Sequence, residues 1–187
     1  LLRNLYGSFD PEYKIESVQG KSFEISEEKM TNIYALDGVE EIVRVIEDNA
    51  YVKYNNSEQV IVLKGVSQNY IEINRLEDKI TEGKLDLGTV EKPMAVVGQG
   101  VQYSLGLTPE NDFFSLQVFY PKNIRSTSLD PNNALTRRNL KVAGVFAIER
   151  QFDEKYVLVP IEFAADLLNY EERITGLEIT TDGSNSD

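Results

Sequence analysis

The stretch 92–107, KPMAVVGQGVQYSLGL, constrains the fold of this chain more than any other. Residues 94–97 are four apolar residues in a row, which suits a short strand covered on both faces. Gly98-Gln99-Gly100 then turns the chain. Val101, Ser104 and Leu105 follow at helical spacing and share one face. Gly106 ends that helix, because glycine enters the left-handed conformation without strain. The same glycines invite a phosphate-loop reading, since they follow a strand and open a helix. The pattern does not support it. A dinucleotide fingerprint needs a third glycine where Tyr103 stands, and a Walker loop needs Gly-Lys-Ser/Thr, which is absent. The glycines are read as a tight strand-to-helix turn in a packed domain.

Composition removes most catalytic chemistry. The 187 residues contain no His, Cys or Trp. That excludes the usual zinc sites, Ser-His-Asp and Cys-His triads, and haem or iron–sulfur ligation. Carboxylates, Lys, Tyr and hydroxyls remain. The net charge of −12 repels a nucleic-acid backbone, so no nucleic acid is expected as a partner. An anionic membrane surface is an equally poor direct partner. The absence of cysteine fits a reducing compartment or a Gram-negative periplasm. No run approaches about 18 apolar residues, and no signal peptide is present. The chain starts at Leu1 and stops in a polar tail, as a piece of a longer protein would.

Taken in order, residues 1–8 place Leu1, Leu2, Leu5 and Tyr6 in a helical arrangement, either the end of an upstream helix or a disordered terminus. Residues 13–18 alternate as a strand. Ser26 is a helix N-cap with Glu27 and Glu28 in the first turn, and Ile25 staples onto Met30. Met30, Ile33, Tyr34 and Leu36 make the apolar stripe, and Asp37-Gly38 ends the helix. Residues 41–47, 50–54 and 59–66 read as three strands, the last two joined by a hairpin at 55–58. Residues 69–73 suggest a helical turn, and 82–85 a solvated turn that crosses into a second subdomain. After the central strand and helix, 112–120 is an aromatic-rich strand. Strands at 140–148, 156–159 and 173–179 follow, with a helix after Pro160 facing Phe163, Ala164, Leu167 and Leu168 to the core. The end therefore repeats the strand–helix–strand order of the start.

Residues 121–139 show no clear period, and an irregular segment this long is usually functional or disordered. It is locally basic, with Lys122, Arg125, Arg137 and Arg138 against Asp130, in an otherwise acidic chain. It is either a contact site or a polar hairpin tip.

This order of signals resembles the MacB-like periplasmic core domain of ABC-transporter permeases, most closely the lipoprotein-releasing permeases. The residues that carry the resemblance are Phe9-Asp10-Pro11, Asp37-Gly38-Val39, Val62-Leu63-Lys64-Gly65-Val66, Glu82-Gly83-Lys84, Ala95-Val96-Val97-Gly98-Gln99-Gly100 with Leu105-Gly106-Leu107, Val142-Ala143-Gly144-Val145-Phe146, and Tyr156-Val157-Leu158-Val159-Pro160 with Ala164-Ala165-Asp166-Leu167-Leu168. The resemblance implies an α+β fold with two subdomains. An outer β-α-β type subdomain is formed by both chain ends, 9–68 and 148–182. A mostly-β subdomain with a short helix, 69–147, is inserted, and 1–8 would be the end of a preceding membrane helix. It implies a domain outside the cytoplasmic membrane, coupling ATP hydrolysis by a separate cytoplasmic ATPase subunit to release of a hydrophobic cargo such as lipoproteins. A second permease subunit or a homodimer partner, the lipoprotein cargo and a periplasmic carrier are the implied partners. By position, Arg125, Leu129, Leu135, Arg137 and Arg138 are the implied contact residues. No cofactor, metal or catalytic residue is implied.

Related readings are an efflux or mechanically signalling permease of the same group. A hydrolase using two carboxylates would draw on Glu82 with Asp86 or Asp153 with Glu154. A calcium module lacks its Asp ladder; Asp182-Gly183 in the tail is the nearest feature.

Overall fold

The computed structural model describes residues 11–73, 76–109, 111, 113–122 and 134–182. The strands are β1 (Tyr13–Glu16), β2 (Val39–Tyr54), β3 (Ser57–Val66), β4 (Ile80–Gly83), β5 (Met94–Gly98), β6 (Leu116–Pro121), β7 (Leu135–Phe146), β8 (Tyr156–Pro160) and β9 (Gly176–Thr181). The helices are α1 (Glu27–Tyr34), α2 (Asn69–Ile73), α3 (Gln99–Leu105), α4 (Arg150–Asp153) and α5 (Ile161–Leu168), with a 3-10 turn at Leu76–Lys79. The fold is α+β, as the sequence implies.

The strands form one hydrogen-bonded path, β1-β9-β2-β3-β8-β5-β7-β4, and β6 bridges β2 to β7. That bridge closes a six-membered ring, β2-β3-β8-β5-β7-β6. Alternation along each strand sends one set of side chains into the ring: Ala50 and Val52, Ile61 and Leu63, Val157 and Val159, Ala95 and Val97, Leu140 and Val142, Leu116 and Val118. β5 and β8 run antiparallel, so the helices that follow them, α3 and α5, leave from opposite ends of the ring. Val101 and Leu105 of α3 and Phe163, Ala164, Leu167 and Leu168 of α5 complete the same core. Part of the opposite face of these strands is covered too. Val43, Val45, Val66, Val96, Phe146 and Leu158 pack with Tyr70 of α2, Leu76 and Leu87. Burial on both sides explains the uninterrupted apolar runs of β5 and β8. The segment 69–147 supplies β4 to β7 to the same path as the chain ends.

Several local expectations hold. The Ser26 hydroxyl accepts from the Lys29 amide at 3.3 Å, and Gly106 takes φ 62° at the end of α3. Others change. The expected strands 41–47 and 50–54 are one strand, β2, because Asp48 and Asn49 pair in register with Leu63 and Val62 rather than breaking the ladder. Leu36 lies beyond the end of α1 and is exposed, so the stripe that packs is Met30 and Ile33. Ser104 points outward, and Gln102 is buried in its place, donating to Glu82 at 2.7 Å. The turn expected at 82–85 begins as strand, since β4 pairs with β7 through Gly83 and Gly144. β6 starts at Leu116, and Phe113 before it is 91% exposed. β7 starts at Leu135 rather than 140, because its outward residues are too polar to show a strand period.

The glycines of the strand-to-helix turn are there for space. Gly98 has an ordinary extended φ of −66°. A Cβ on it would lie 2.3 Å from the Asp153 carbonyl oxygen, and one on Gly100 would lie 2.7 Å from the Glu154 Cα. Backbone against backbone cannot yield as a flexible side chain does. Gly98→Ala is therefore expected to destabilise the fold by about 1–3 kcal/mol, read as a lower urea midpoint at unchanged slope.

Candidate functional site

The described ends of the basic segment belong to β6 and β7, which pair antiparallel. Leu116 to Pro121 pair with Leu140 to Leu135, and the Lys122 amide donates to the Ala134 carbonyl at 2.9 Å. Residues directly opposite share a face. Val118 points into the ring, so Arg138 opposite it does also, while Phe119 with Arg137 and Pro121 with Leu135 face outward. Register extends the outward row across the neighbouring strands: Phe119 lies opposite Tyr51, and Tyr51 opposite Val60. The Tyr51 and Phe119 rings meet edge to face at 5.6 Å. The Tyr51 hydroxyl donates to Glu58. Val60 is 63% exposed and Leu135 46%. The result is an apolar and aromatic strip, Val60–Tyr51–Phe119, that ends on the Arg137 cation beside Leu135.

Of the expected contact residues, Leu135 and Arg137 come together on this face. Arg138 leaves it. Its guanidinium grips Asp166 of α5 with Nε at 2.5 Å from one oxygen and Nη2 at 3.2 Å from the other. Arg125 and Leu129 lie outside the described residues. Tyr51, Phe119 and Val60 escape sequence reasoning. Alternation marks each as outward, but only strand register shows that they adjoin.

The root of the hairpin is fixed by Asp48 of β2. Its carboxylate accepts from the Tyr120 hydroxyl at 2.7 Å, from Lys21 Nζ at 2.9 and 3.0 Å, and from the Asn49 amide at 2.8 Å. Burial opposes ionisation of Asp48, but the bonds from Tyr120, Lys21 and Asn49 outweigh it and hold its pKa below the usual carboxylate value. Burial and the Asp48 charge push the Tyr120 phenol well above its ordinary value.

A strap at residues 85–94 stands near the start of the hairpin. It is closed by the Met94 amide on the Leu87 carbonyl at 2.8 Å and by the Thr89 amide on the Lys92 carbonyl at 3.1 Å. One open cavity of ≈ 810 Å³ lies between Pro93, Met94, Ser115, Leu140 and Lys141, and another of ≈ 440 Å³ between Val66, Ile71, Val90 and Pro160.

The carboxylates considered for hydrolysis each have a structural partner. Glu82 takes Gln102, Asp86 takes the Gly88 amide at 2.8 Å, Asp153 takes the Ile148 amide at 2.8 Å, and Glu154 takes Arg150 at 2.6 Å. Burial raises the Asp153 pKa. Among the described residues no group of three or more Asp or Glu is placed to hold a metal ion, and no helix is long and apolar enough to cross a membrane.

No protein-family model matches the chain, and no curated protein sequence matches it. Solved structures do. The extracellular domain of the noncanonical ABC-type transporter YknZ from Gram-positive bacteria superposes with a TM-score of 0.60 at 14% identity, over 92% of this chain and 86% of that one. The periplasmic region of MacB from Actinobacillus actinomycetemcomitans superposes with a TM-score of 0.57 at 12% identity, over 92% of this chain and 69% of that one. The fold is thus that of the MacB-like domains carried outside the membrane by ABC-type transporters.

Tyr120→Phe removes the hydrogen bond to the Asp48 carboxylate and is expected to cost about 1.5–3 kcal/mol in urea unfolding. Asp48 carries a sharper expectation. Its folded pKa lies below the unfolded value of 3.8, so its contribution is complete above that pH and is lost as pH falls through the folded pKa. The stability gap between wild type and Asp48→Asn should therefore narrow below that pH in acid titrations.

Proposed function

We propose that this chain is the extracytoplasmic domain of an ABC-transporter permease, anchored at the cytoplasmic membrane. It couples ATP hydrolysis by a separate cytoplasmic subunit to extraction or export of a hydrophobic cargo, of which lipoproteins are the leading candidate. The observation that carries this reading is the fold likeness to the YknZ extracellular domain over 92% of the chain. The placement of the first and last described residues agrees with it. Tyr13 pairs with Ile179, Glu12 accepts from the Thr181 amide at 3.1 Å, and the Asp182 amide donates to Gly38 at 3.0 Å. The first and last described strands, β1 and β9, are thus neighbours, which suits a domain set between two membrane helices. Such a unit works as a lever and a grip and requires no catalytic residue of its own.

In this reading the β6–β7 hairpin is the contact element. Leu135 and Arg137 supply the apolar and cationic contacts on the described face, Arg138 braces β7 against α5, and Arg125 and Leu129, between the two strands in sequence, are the remaining candidates. The partners are a soluble carrier or the cargo itself, alongside a second permease subunit or a second copy. The likeness to the MacB periplasmic region favours, as the second reading, an efflux or mechanically signalling permease.

Two measurements test the proposal. A cysteine introduced at Val60 of the full-length permease should react with a membrane-impermeant maleimide in intact cells. Labelling only after lysis would place the domain inside and end the reading. A photo-crosslinking residue at Leu135 or Arg137 should capture a carrier or a lipoprotein in cells. Capture of neither, with labelling at Val60 intact, would favour the efflux or signalling role.

A further inference from the structure

The outer face of β2, β3 and β9 holds a buried ionic group apart from the hairpin. Lys64 on β3 is 1% exposed and Glu178 on β9 is 6% exposed. Lys64 Nζ lies 2.6 Å from Glu178 Oε1 and 4.0 Å from Glu47 Oε2. The three residues stand on three neighbouring strands. Lys64 is directly opposite Glu47 across the β2–β3 ladder, and β9 runs along the other edge of β2. The Tyr156 hydroxyl donates to Glu47 Oε1 at 3.2 Å, which orients that carboxylate. The ring of Tyr70, itself fully buried, lies 5.1 Å from the ammonium and shields the group.

We propose that Lys64 and Glu178 are a site of autocatalytic modification, joined by an intramolecular isopeptide bond. Nζ of Lys64 attacks Cδ of Glu178. One C–N bond forms, one C–O bond breaks, and the oxygen leaves as water. Of the two protons the ammonium sheds, one passes directly to the Glu178 oxygen it contacts, and Glu47 carries the other from the nitrogen to the departing oxygen. Ammonium and carboxylate become amide and water, with no redox change and no outside reactant.

Three physical conditions favour the step. The amine and the carboxyl are held in contact, which removes the translational and rotational cost of a bimolecular encounter. A second carboxylate, Glu47, lies 4.0 Å from the nitrogen, and a side-chain shift of about 1 Å brings it to the place of a general acid–base. Lys64 and Glu178 are withdrawn from bulk water, the reagent that reverses amide formation, and the reaction removes two charges whose burial is costly. The product would tie β3 to β9 across β2. It would fasten β9, and β1 through it, to the ring. The inference stands or falls independently of the transport reading.

The test is the intact mass of the purified full-length protein, natively folded by circular dichroism. The expected mass is lower than the sequence mass by one water. Proteolysis should release one branched peptide joining the Lys64 and Glu178 segments, and trypsin should fail to cut after Lys64. Lys64→Arg should restore the full mass, and Glu47→Gln should slow or abolish the loss. Folded wild-type protein at full mass overturns the proposal. So does a water loss that fragmentation maps to Asp37-Gly38 or Asp182-Gly183 rather than to the branched peptide.

Discussion

The rest of the structure depends on β2 exchanging one neighbour for another halfway along its length. β3 pairs with β2 from Val45 to Tyr54. On the other edge β9 pairs with residues up to Val45, and β6 with Tyr51 to Lys53. Without β6 on that edge the ring would be open; without β9 the first strand of the chain would have no sheet to join. The exchange leaves a gap of a few residues in which the backbone of β2 has no ladder partner on that edge. Backbone groups in such gaps must be satisfied by other means. The Thr175 hydroxyl accepts from the Glu47 amide at 2.8 Å, and Asp48 gathers Tyr120 and Lys21. The polar pair Asp48-Asn49 therefore marks a joint between two pairings.

Two-sided burial follows from that joint. A closed ring has an inside, filled by alternate side chains and by α3 and α5. Part of the outer side of the same strands is covered by α2, the 3-10 turn and the strap. Space is short where covering elements meet strand ends. α4 comes so close to Gly98 and Gly100 that no side chain fits at either position. Among the described residues the deeply buried charges, Lys64 and Glu178, sit on this second face. A well-packed hydrophobic triplet would hold the strands as firmly.

The hairpin divides its arginines between structure and surface. Successive residues of a strand point to opposite faces, so Arg137 and Arg138 cannot do the same work. Arg138 anchors β7 to α5 through Asp166, while Arg137 closes the outward strip of Val60, Tyr51 and Phe119. Aromatic residues with an arginine are the composition that protein contacts favour. The fold likeness to the YknZ and MacB domains speaks to architecture, and the proposed contact role rests on the strip and the charge inversion.

Much of this was legible from the residues alone. The strand–turn–helix at 94–106, the Ser26 cap and the strand–helix of β8 and α5 rest on short-range rules of period, cap and glycine conformation, which act within a few residues. The continuity of β2 through Asp48 was not legible, because the partners that satisfy Asp48 come from Lys21 and Tyr120, 27 and 72 residues away. The same holds for the strand character of 135–139, whose polar residues acquire a face only once β6 pairs with them. By itself the sequence determined the local elements, the exclusion of histidine and thiol chemistry, and where positive charge collects. The tertiary structure decided which strands close the ring, which arginine faces out, and which lysine is sealed between two glutamates. Each of these depends on register between distant segments, and register is settled by packing that no local window contains.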